Sequence, residues 1–328
     1  MGGFGGVSNS AYLAFETGGT KLVAGVAGPD LRLIETRRVS RAPNDTAAES
    51  FRSLVEMGRA LNAFHTAKGF VFRGCGLGFG GYVRRSDQRP LANLHEPGWE
   101  EIDVAGILEK EFGIPVRVEN DCKVAALAEA HFGAGRGYRT VFYMTIGTGV
   151  GGGIVRDGRI VEMSDVGEAE IGHLVVLPDG PVCACGNRGC VEAVCSGPGL
   201  SQLAAWLADR EPQLFKASEL HPAGGDSIVG RDLMRAFSQG DAFATKVIER
   251  AASCLASAVA AAISLVAPEV FVVGGGVGSG NPAFVNLLRE KTEPLAASCF
   301  RGKYGIVSSH LGEQVVTQGA AILAAQSK

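Results

Sequence analysis

The residues able to do chemistry gather in a few short stretches. The densest is residues 170–192, which holds Glu170-Ile-Gly-His173, then Cys183-Ala-Cys185, then Cys190-Val-Glu192. Three cysteines spaced Cys-x-Cys-x4-Cys, with a histidine ten residues upstream, make a complete ligand set for a tetrahedral structural zinc. Glu170 and Glu192 stand just outside that set, one at each end. A metal knot flanked by two acids is suited to fixing polar groups for a ligand.

Two Gly/Thr turns come next, Gly18-Gly19-Thr20-Lys21 and Gly147-Thr148-Gly149. Exposed N–H groups and a threonine hydroxyl in such turns can hold phosphate oxygens. Neither is a Walker motif, because Gly-x4-Gly-Lys-Ser/Thr does not occur. Gly147, Gly149 and Gly152 satisfy the dinucleotide pattern, and Glu168 stands near the expected acidic distance. That fingerprint must open a helix, whereas Ile154, Val155 and Asp157-Gly158 continue as a hairpin, which argues against a dehydrogenase. Asn120-Asp121 closes a strand and opens a helix, where both residue types serve as caps. In the company of two phosphate turns, Asp121 also suits a base that takes the proton of a hydroxyl attacking a γ-phosphate. Positioning and charge neutralisation do most of the work in such a transfer.

The elements that must position these groups follow a repeated order. Apolar strands are expected at 11–15, 21–27 and 32–39, a helix from Asp45, a strand at 75–79, a helix at 103–112 and a strand at 115–118. The helix after Asp121 links the halves. Strands then recur at 140–146, 151–155 and 159–163, with Asp157-Gly158 as a hairpin signal. A duplicated β-β-β-α-β-α unit with a cleft between the copies is the expectation, and the zinc stretch interrupts the second copy as an insertion. Helices follow at 198–208, 229–239 and 242–267, a strand at 270–273 before Gly274-Gly275-Gly276, a helix from 282, a strand at 305–308 and a helix from Glu313. The last helix is expected to return to the N-terminal lobe. That gives a disordered lead at 1–10, one lobe from 11–119 with about 313–328, and a second from 120–312 carrying the zinc motif at 173–190.

Composition narrows the class. The chain has 31 basic and 34 acidic residues, a net charge of −3 and no basic run, so nucleic acid is not an expected partner. Three of its eight cysteines lie within eight residues, which suits a metal site in a reducing cytoplasm better than a disulfide framework. No basic segment leads an apolar run at the N-terminus, so a secretion signal is not expected. The uncharged run 251–268 is short for a bilayer and reads as a buried helix, so no membrane partner is expected. Cys75, Cys122, Cys195, Cys254 and Cys299 read as small buried side chains, Arg37-Arg38 and Arg84-Arg85 as solvated charges, and Trp99 as either a core residue or a support for a ligand loop.

Glu16-x-Gly-Gly-Thr-Lys, Asn120-Asp121, Thr145-Ile-Gly-Thr-Gly-Val-Gly, Glu170-Ile-Gly-His and Cys-x-Cys-x4-Cys-x-Glu fall in the order of the ROK family (repressors, open reading frames and kinases). The resemblance spans nearly the whole chain. It implies an α/β, actin-like ATPase (ribonuclease-H-like) fold of two lobes, and ATP-dependent phosphorylation of the 6-hydroxyl of a hexose, with Asp121 as base. Sugar hydroxyls would be held by Asn93, Asn120, Asp121, Glu170, His173 and Glu192. Zinc would be held by His173, Cys183, Cys185 and Cys190, with the second ring nitrogen of His173 free for a hydroxyl. Gly18, Gly19, Thr20, Lys21, Gly147, Thr148 and Gly149 would contact phosphates, Gly275 and Gly276 would lie by the adenosine, and Glu16 would orient Mg²⁺. A homodimer is expected, since dimers are common in such families.

Two cues point to different sugars. Glu16 stands where many members have Asp, as in the fructokinase-like branch, whereas the complete cysteine set matches glucokinase-like members. Glucose is the leading substrate, with fructose, mannose or an N-acetylhexosamine as alternatives. A sugar-sensing protein without turnover is the reading from another class, and the intact Asp121 argues against it. Family repressors carry an N-terminal helix-turn-helix, for which a phosphate loop beginning by residue 16 leaves no room.

Overall fold

The computed structural model describes residues 9–42, 44–92, 96–221, 224 and 228–326. Asn93, expected to bind sugar, lies outside the described residues. The chain opens with an antiparallel meander of β1 (Ser10–Thr17), β2 (Lys21–Ala27) and β3 (Leu33–Ser40), so Ser10 belongs to a strand and not to the expected lead. There follow α1 (Ala47–Ala67), β4 (Val71–Phe79), a ribbon of β5 (Tyr82–Arg84) and β6 (Arg89–Ala92) that the sequence pattern did not announce, α2 (Val104–Phe112), β7 (Val116–Asn120) and α3 (Asp121–Phe132). The helix expected from Asp45 starts later, because a Thr46/Glu49 capping box closes its N-terminus. Asp45 instead accepts the N–H of Ala42 at 2.7 Å.

The second half supplies β8 (Thr140–Ile146), β9 (Val150–Arg156), β10 (Arg159–Ile160), α4 (Val191–Cys195), α5 (Gly197–Ala208), α6 (Pro212–Lys216), α7 (Gly230–Ser238), α8 (Ala242–Val266), β11 (Val270–Gly274), α9 (Pro282–Thr292), β12 (Gly305–Ser308) and α10 (Val315–Ala325). The two five-stranded sheets run in the orders β3-β2-β1-β4-β7 and β10-β9-β8-β11-β12. In each, a meander is extended by two parallel strands, so the duplication expected from the repeated motifs is present. Asp157 and Gly158 both take positive φ, 52° and 76°, as a two-residue hairpin turn of primed type requires. The strand after it is only two residues long, not the five expected.

Two compact units emerge. One holds the chain up to Arg136, Val155–Glu168 and the segment from Glu313; the other holds Gly137–Ile154 and Ala169–Gly312. The division differs from the one expected at residue 120, since α3 goes with the first unit. The cause is the close approach of α10 to α3: a methyl group on Gly319 would overlap the carbonyl of Val124, so only glycine permits the contact. Residues 155–168 join the same unit through His131 Nε2, 3.0 Å from the Gly158 carbonyl, and through Ser86, bonded to Asp165. The expected return of the last helix to the N-terminal strands is also seen, with α10 packed on β1, β4 and α3.

The core of the first unit settles Trp99 as a core residue. Its ring is fully buried, edge-on to Phe79 at 5.2 Å and to Phe51 at 6.2 Å. In the second unit α8 is long and apolar enough to cross a bilayer, yet 67% of its most apolar window is buried against the helices around it. Cys75, Cys195 and Cys254 are buried as expected; Cys122 is half-buried and Cys299 is exposed, because it lies in a surface turn after α9.

Candidate active site

In the first unit the parallel strands β1, β4 and β7 end together, with Glu16 paired to Gly78 and Phe79 to Asn120. Loops at the carboxyl ends of parallel strands therefore gather at one edge, where α/β sheets bind ligands. Gly18 donates its N–H to the Lys21 carbonyl at 3.0 Å and closes the first turn. Asp121 is the first residue of α3, at the positive end of the helix dipole. A methyl group on Gly80 would stand 3.8 Å from Asp121 Oδ2 and 3.9 Å from Gly18 Cα, so the carboxylate and the Gly18 turn both lie beside Gly80.

Asn120 is the cap of that helix. Its Oδ1 accepts the N–H groups of Cys122 at 3.0 Å and Lys123 at 3.3 Å, and its Nδ2 donates to the Gly81 carbonyl at 3.1 Å. One amide hydrogen remains to offer a ligand. Glu16 is buried and fully engaged: Oε1 pairs with Lys21 Nζ at 3.0 Å, and Oε2 accepts the Thr317 hydroxyl at 2.7 Å. Lys21 Nζ also donates to the Glu313 carbonyl at 3.0 Å.

In the second unit, β8 and β11 are parallel neighbours, with Thr145 paired to Gly274. The Gly147-Thr148-Gly149 turn and the Gly275-Gly276 loop thus leave the sheet side by side. Gly275 has φ 82°, and a methyl group on it would overlap the backbone of Ile146, so the loop can pass only as glycine. Gly147, Thr148, Gly276, Val277 and Asn281 line a cavity of about 790 Å³, joined by Gly197-Pro198 at the start of α5 and by Arg231 and Met234 of α7. That volume is of nucleotide size, and the N-terminal end of a helix suits anions. The α7 residues carry no sequence signal beyond a helix expected at 229–239.

The knot itself assembles as its spacing requires. The four ligand atoms of His173, Cys183, Cys185 and Cys190 lie within 4.8 Å of one another. Cys185 Sγ is 3.7 Å from Cys190 Sγ, and Cys183 Sγ is 3.8 Å from His173 Nδ1. With Zn–S bonds of about 2.3 Å, a tetrahedron has S–S edges of about 3.8 Å, so the residues fit a zinc ion. Burial pushes the Cys183 thiol up and the Cys190 thiol up to about 12, while the Asn187 N–H holds Cys185 below its ordinary value. Zinc would deprotonate all three. Gly189, at φ 65°, turns the loop where a methyl group would overlap the Leu177 carbonyl.

The two acids stand next to the knot in the chain, one at each end. Cys190 caps α4, and two residues on, Glu192 Oε2 accepts the Val150 N–H at 2.9 Å. Val150 directly follows Gly149, so the carboxylate is bound to the end of the Gly147-Thr148-Gly149 turn. At the other end, Glu170 opens the turn Ile171–His173. Ala169 before it takes φ 63°, a strained conformation of the kind that persists where the surroundings over-determine it.

The ROK family profile matches residues 12–327. The chain belongs to the ROK family. A Thermotoga maritima glucokinase is 32% identical over 310 residues, covering 94% of this chain and 95% of that protein. An N-acetylmannosamine kinase from Citrobacter koseri is 31% identical, covering 81% of this chain and 83% of its own. Among solved structures, the ROK family glucokinase from Streptomyces griseus in complex with glucose and AMPPNP superposes with a TM-score of 0.76 at 30% identity, covering 96% of this ROK chain and 99% of its own.

Proposed function

We propose that this ROK-family sugar kinase transfers the γ-phosphate of ATP to the 6-hydroxyl of a hexose, with glucose as the leading acceptor. The observation that carries the reading is Asp121, set at a helix N-terminus and, like the Gly18 turn, beside Gly80. As the O6–Pγ bond forms and the bond from Pγ to the leaving ADP oxygen breaks, Asp121 takes the hydroxyl proton. ATP would lie along the cavity of Gly147, Thr148 and Gly276, with Gly19, Thr20 and Gly149 on its phosphates and Gly275 by the adenosine. The sugar would be held by Asn93, Asn120, Glu170, His173 and Glu192.

Zinc would be held by His173 Nδ1, Cys183, Cys185 and Cys190, which leaves His173 Nε2 for a hydroxyl. Its contribution is structural: it fixes the loop from which Glu170 and Glu192 project. Mg²⁺ would accompany ATP, with Glu16 reaching it once released from Lys21. None of the described cysteines forms a disulfide, which suits a cytoplasmic setting.

The likeness to the N-acetylmannosamine kinase favours a second acceptor, since the same carboxylates can grip several hexoses. An assay coupled to ADP release across glucose, mannose, fructose and N-acetylmannosamine decides among them. ADP release with glucose at the highest kcat/KM is the expected result; sugar binding without any ADP release would mean a sensor rather than a kinase.

The link between Glu192 and the phosphate turn makes a sharper expectation. In Gly149→Ala the added methyl group would stand 2.7 Å from Glu192 Oε2 and push it off the Val150 N–H. A hydrogen bond to a charged group contributes about 1.5–3 kcal/mol, so the sugar KM should rise roughly 10-fold or more. An unchanged sugar KM would show that Glu192 does not need this anchor.

A further inference from the structure

Lys123, Glu119 and Glu168 lie buried near the turn that bears Asp121, with Arg85 half-buried against them, and the proposed phosphoryl transfer uses none of the four. Lys123 Nζ is 3.1 Å from Glu168 Oε1 and 3.7 Å from Glu119 Oε1. Arg85 Nη2 is 2.7 Å from Glu168 Oε1 and 3.3 Å from Glu119 Oε2, and Arg85 also donates to the Ser164 carbonyl. The Lys123 side chain is 3% exposed, those of Glu119 and Glu168 5% each, and that of Arg85 15%. Two cations and two anions form the ring, and the half-exposed Glu162 stands outside it, 3.8 Å from Arg85 Nε.

Stability gives this ring little reason to exist. A lysine in the first turn of a helix opposes the helix dipole, and a buried ion pair seldom gains more than well-packed apolar side chains would. Its place in the chain supplies a reason. Glu119 and Lys123 flank Asn120-Asp121 on either side, and Glu119 Oε1 also accepts the Asn120 N–H at 2.9 Å. With the Asn120 cap, the turn that carries Asp121 is gripped at both ends.

We propose that Lys123, Arg85, Glu119 and Glu168 form a positioning quartet that fixes the strand-to-helix turn bearing Asp121, with Lys123 as the member that joins both carboxylates. The inference rests on the reading of Asp121 as the base. Lys123 acts through Glu119 and the backbone, without touching substrate. Removing it leaves Glu119 and Glu168 facing Arg85 alone, and the surplus buried charge is relieved by moving Glu119, and with it the Asn120 peptide. A displacement of about 1 Å at a reacting group can lower the rate about 10²-fold.

In the full chain, Lys123→Met should lower kcat about 10-fold or more while the KM for ATP stays within about twofold. The double variant K123M/E168Q, which leaves Arg85 balanced by Glu119, should recover part of that loss. A lower unfolding temperature with wild-type kcat in Lys123→Met would mean that the quartet only holds the fold, and would overturn the proposal; so would a double variant that loses the product of the single effects. Where Lys123→Met does not fold, Glu168→Gln carries the test: a fall in kcat of about fivefold at unchanged KM for ATP supports the quartet, and wild-type kcat overturns it. Asp121→Asn measured alongside separates the two readings. An inactive Asp121→Asn beside a fully active Lys123→Met removes the quartet alone, whereas a fully active Asp121→Asn removes the base and the quartet together.

Discussion

Asp121→Asn is expected to lower kcat by about 10²–10⁴-fold, the usual contribution of a positioned general base. The substitution keeps size and shape, so α3 should start at the same residue, and the Asn120 bonds to Cys122, Lys123 and Gly81 should remain. What goes is the ability to accept a proton from the sugar hydroxyl as the O6–Pγ bond forms. Sugar affinity measured by calorimetry should change little by comparison, because the remaining sugar-holding residues keep their places. Turnover within about fivefold of wild type would sink the base assignment, since an effect that small is below what general-base catalysis supplies.

Loss of the zinc ligands is expected to be the second large effect. The purified protein should contain about one zinc per chain, and Cys190→Ser should abolish it. Cys190 is buried at the N-terminus of α4, so loss of the metal there loosens the loop two residues before Glu192 and its bond to Val150. The sugar KM should therefore rise with the loss of metal. Apparent binding energies of structural zinc are about 10–16 kcal/mol, as large as the whole stability of a typical domain at about 5–15 kcal/mol, so a chelator should also lower the unfolding temperature steeply. Zinc-free protein with full sugar affinity and an unchanged unfolding temperature would falsify the knot as the support of Glu170 and Glu192.

Much of this arrangement is legible in the linear chain because it is local. The cysteine spacing places three thiols and a histidine within 18 residues, and so short a loop can close on one ion in few ways. Asp157-Gly158 specifies its hairpin through two positive φ angles that few other residues tolerate. The Gly/Thr turns sit between strands whose apolar runs mark them, and the repeated strand order is written twice. Where local cues compete, the sequence misleads by a residue or more. Asp45 and Thr46 are both good caps, and only Thr46 has Glu49 three residues on.

Charged pairs distant in sequence are another matter. Arg84 and Arg85 look alike as neighbours in the chain, yet Arg84 pairs with Asp87 on the surface while Arg85 is half-buried against Glu119 and Glu168, 34 and 83 residues away. The expectation of two solvated charges was therefore right for one and wrong for the other, because burial is decided by which segments pack over a side chain. Glu16 shows the same limit. The fold pairs it with Lys21 and, 301 residues on, with Thr317, a partner that its place in the chain does not announce.

By itself, then, the sequence determined the chemistry on offer: a zinc-type ligand set, paired phosphate turns, a carboxylate at a helix start, and a duplicated α/β order. Tertiary structure alone decided how those groups are held. It placed α3 with α10 through Gly319, seated Glu192 on the Val150 N–H beside Gly149, and enclosed Lys123 in a ring of charges near the turn that bears Asp121. The physical reason is range: turn geometry and ligand spacing act over a few bonds of chain, whereas desolvation and ion pairing depend on which distant segments come to lie against one another.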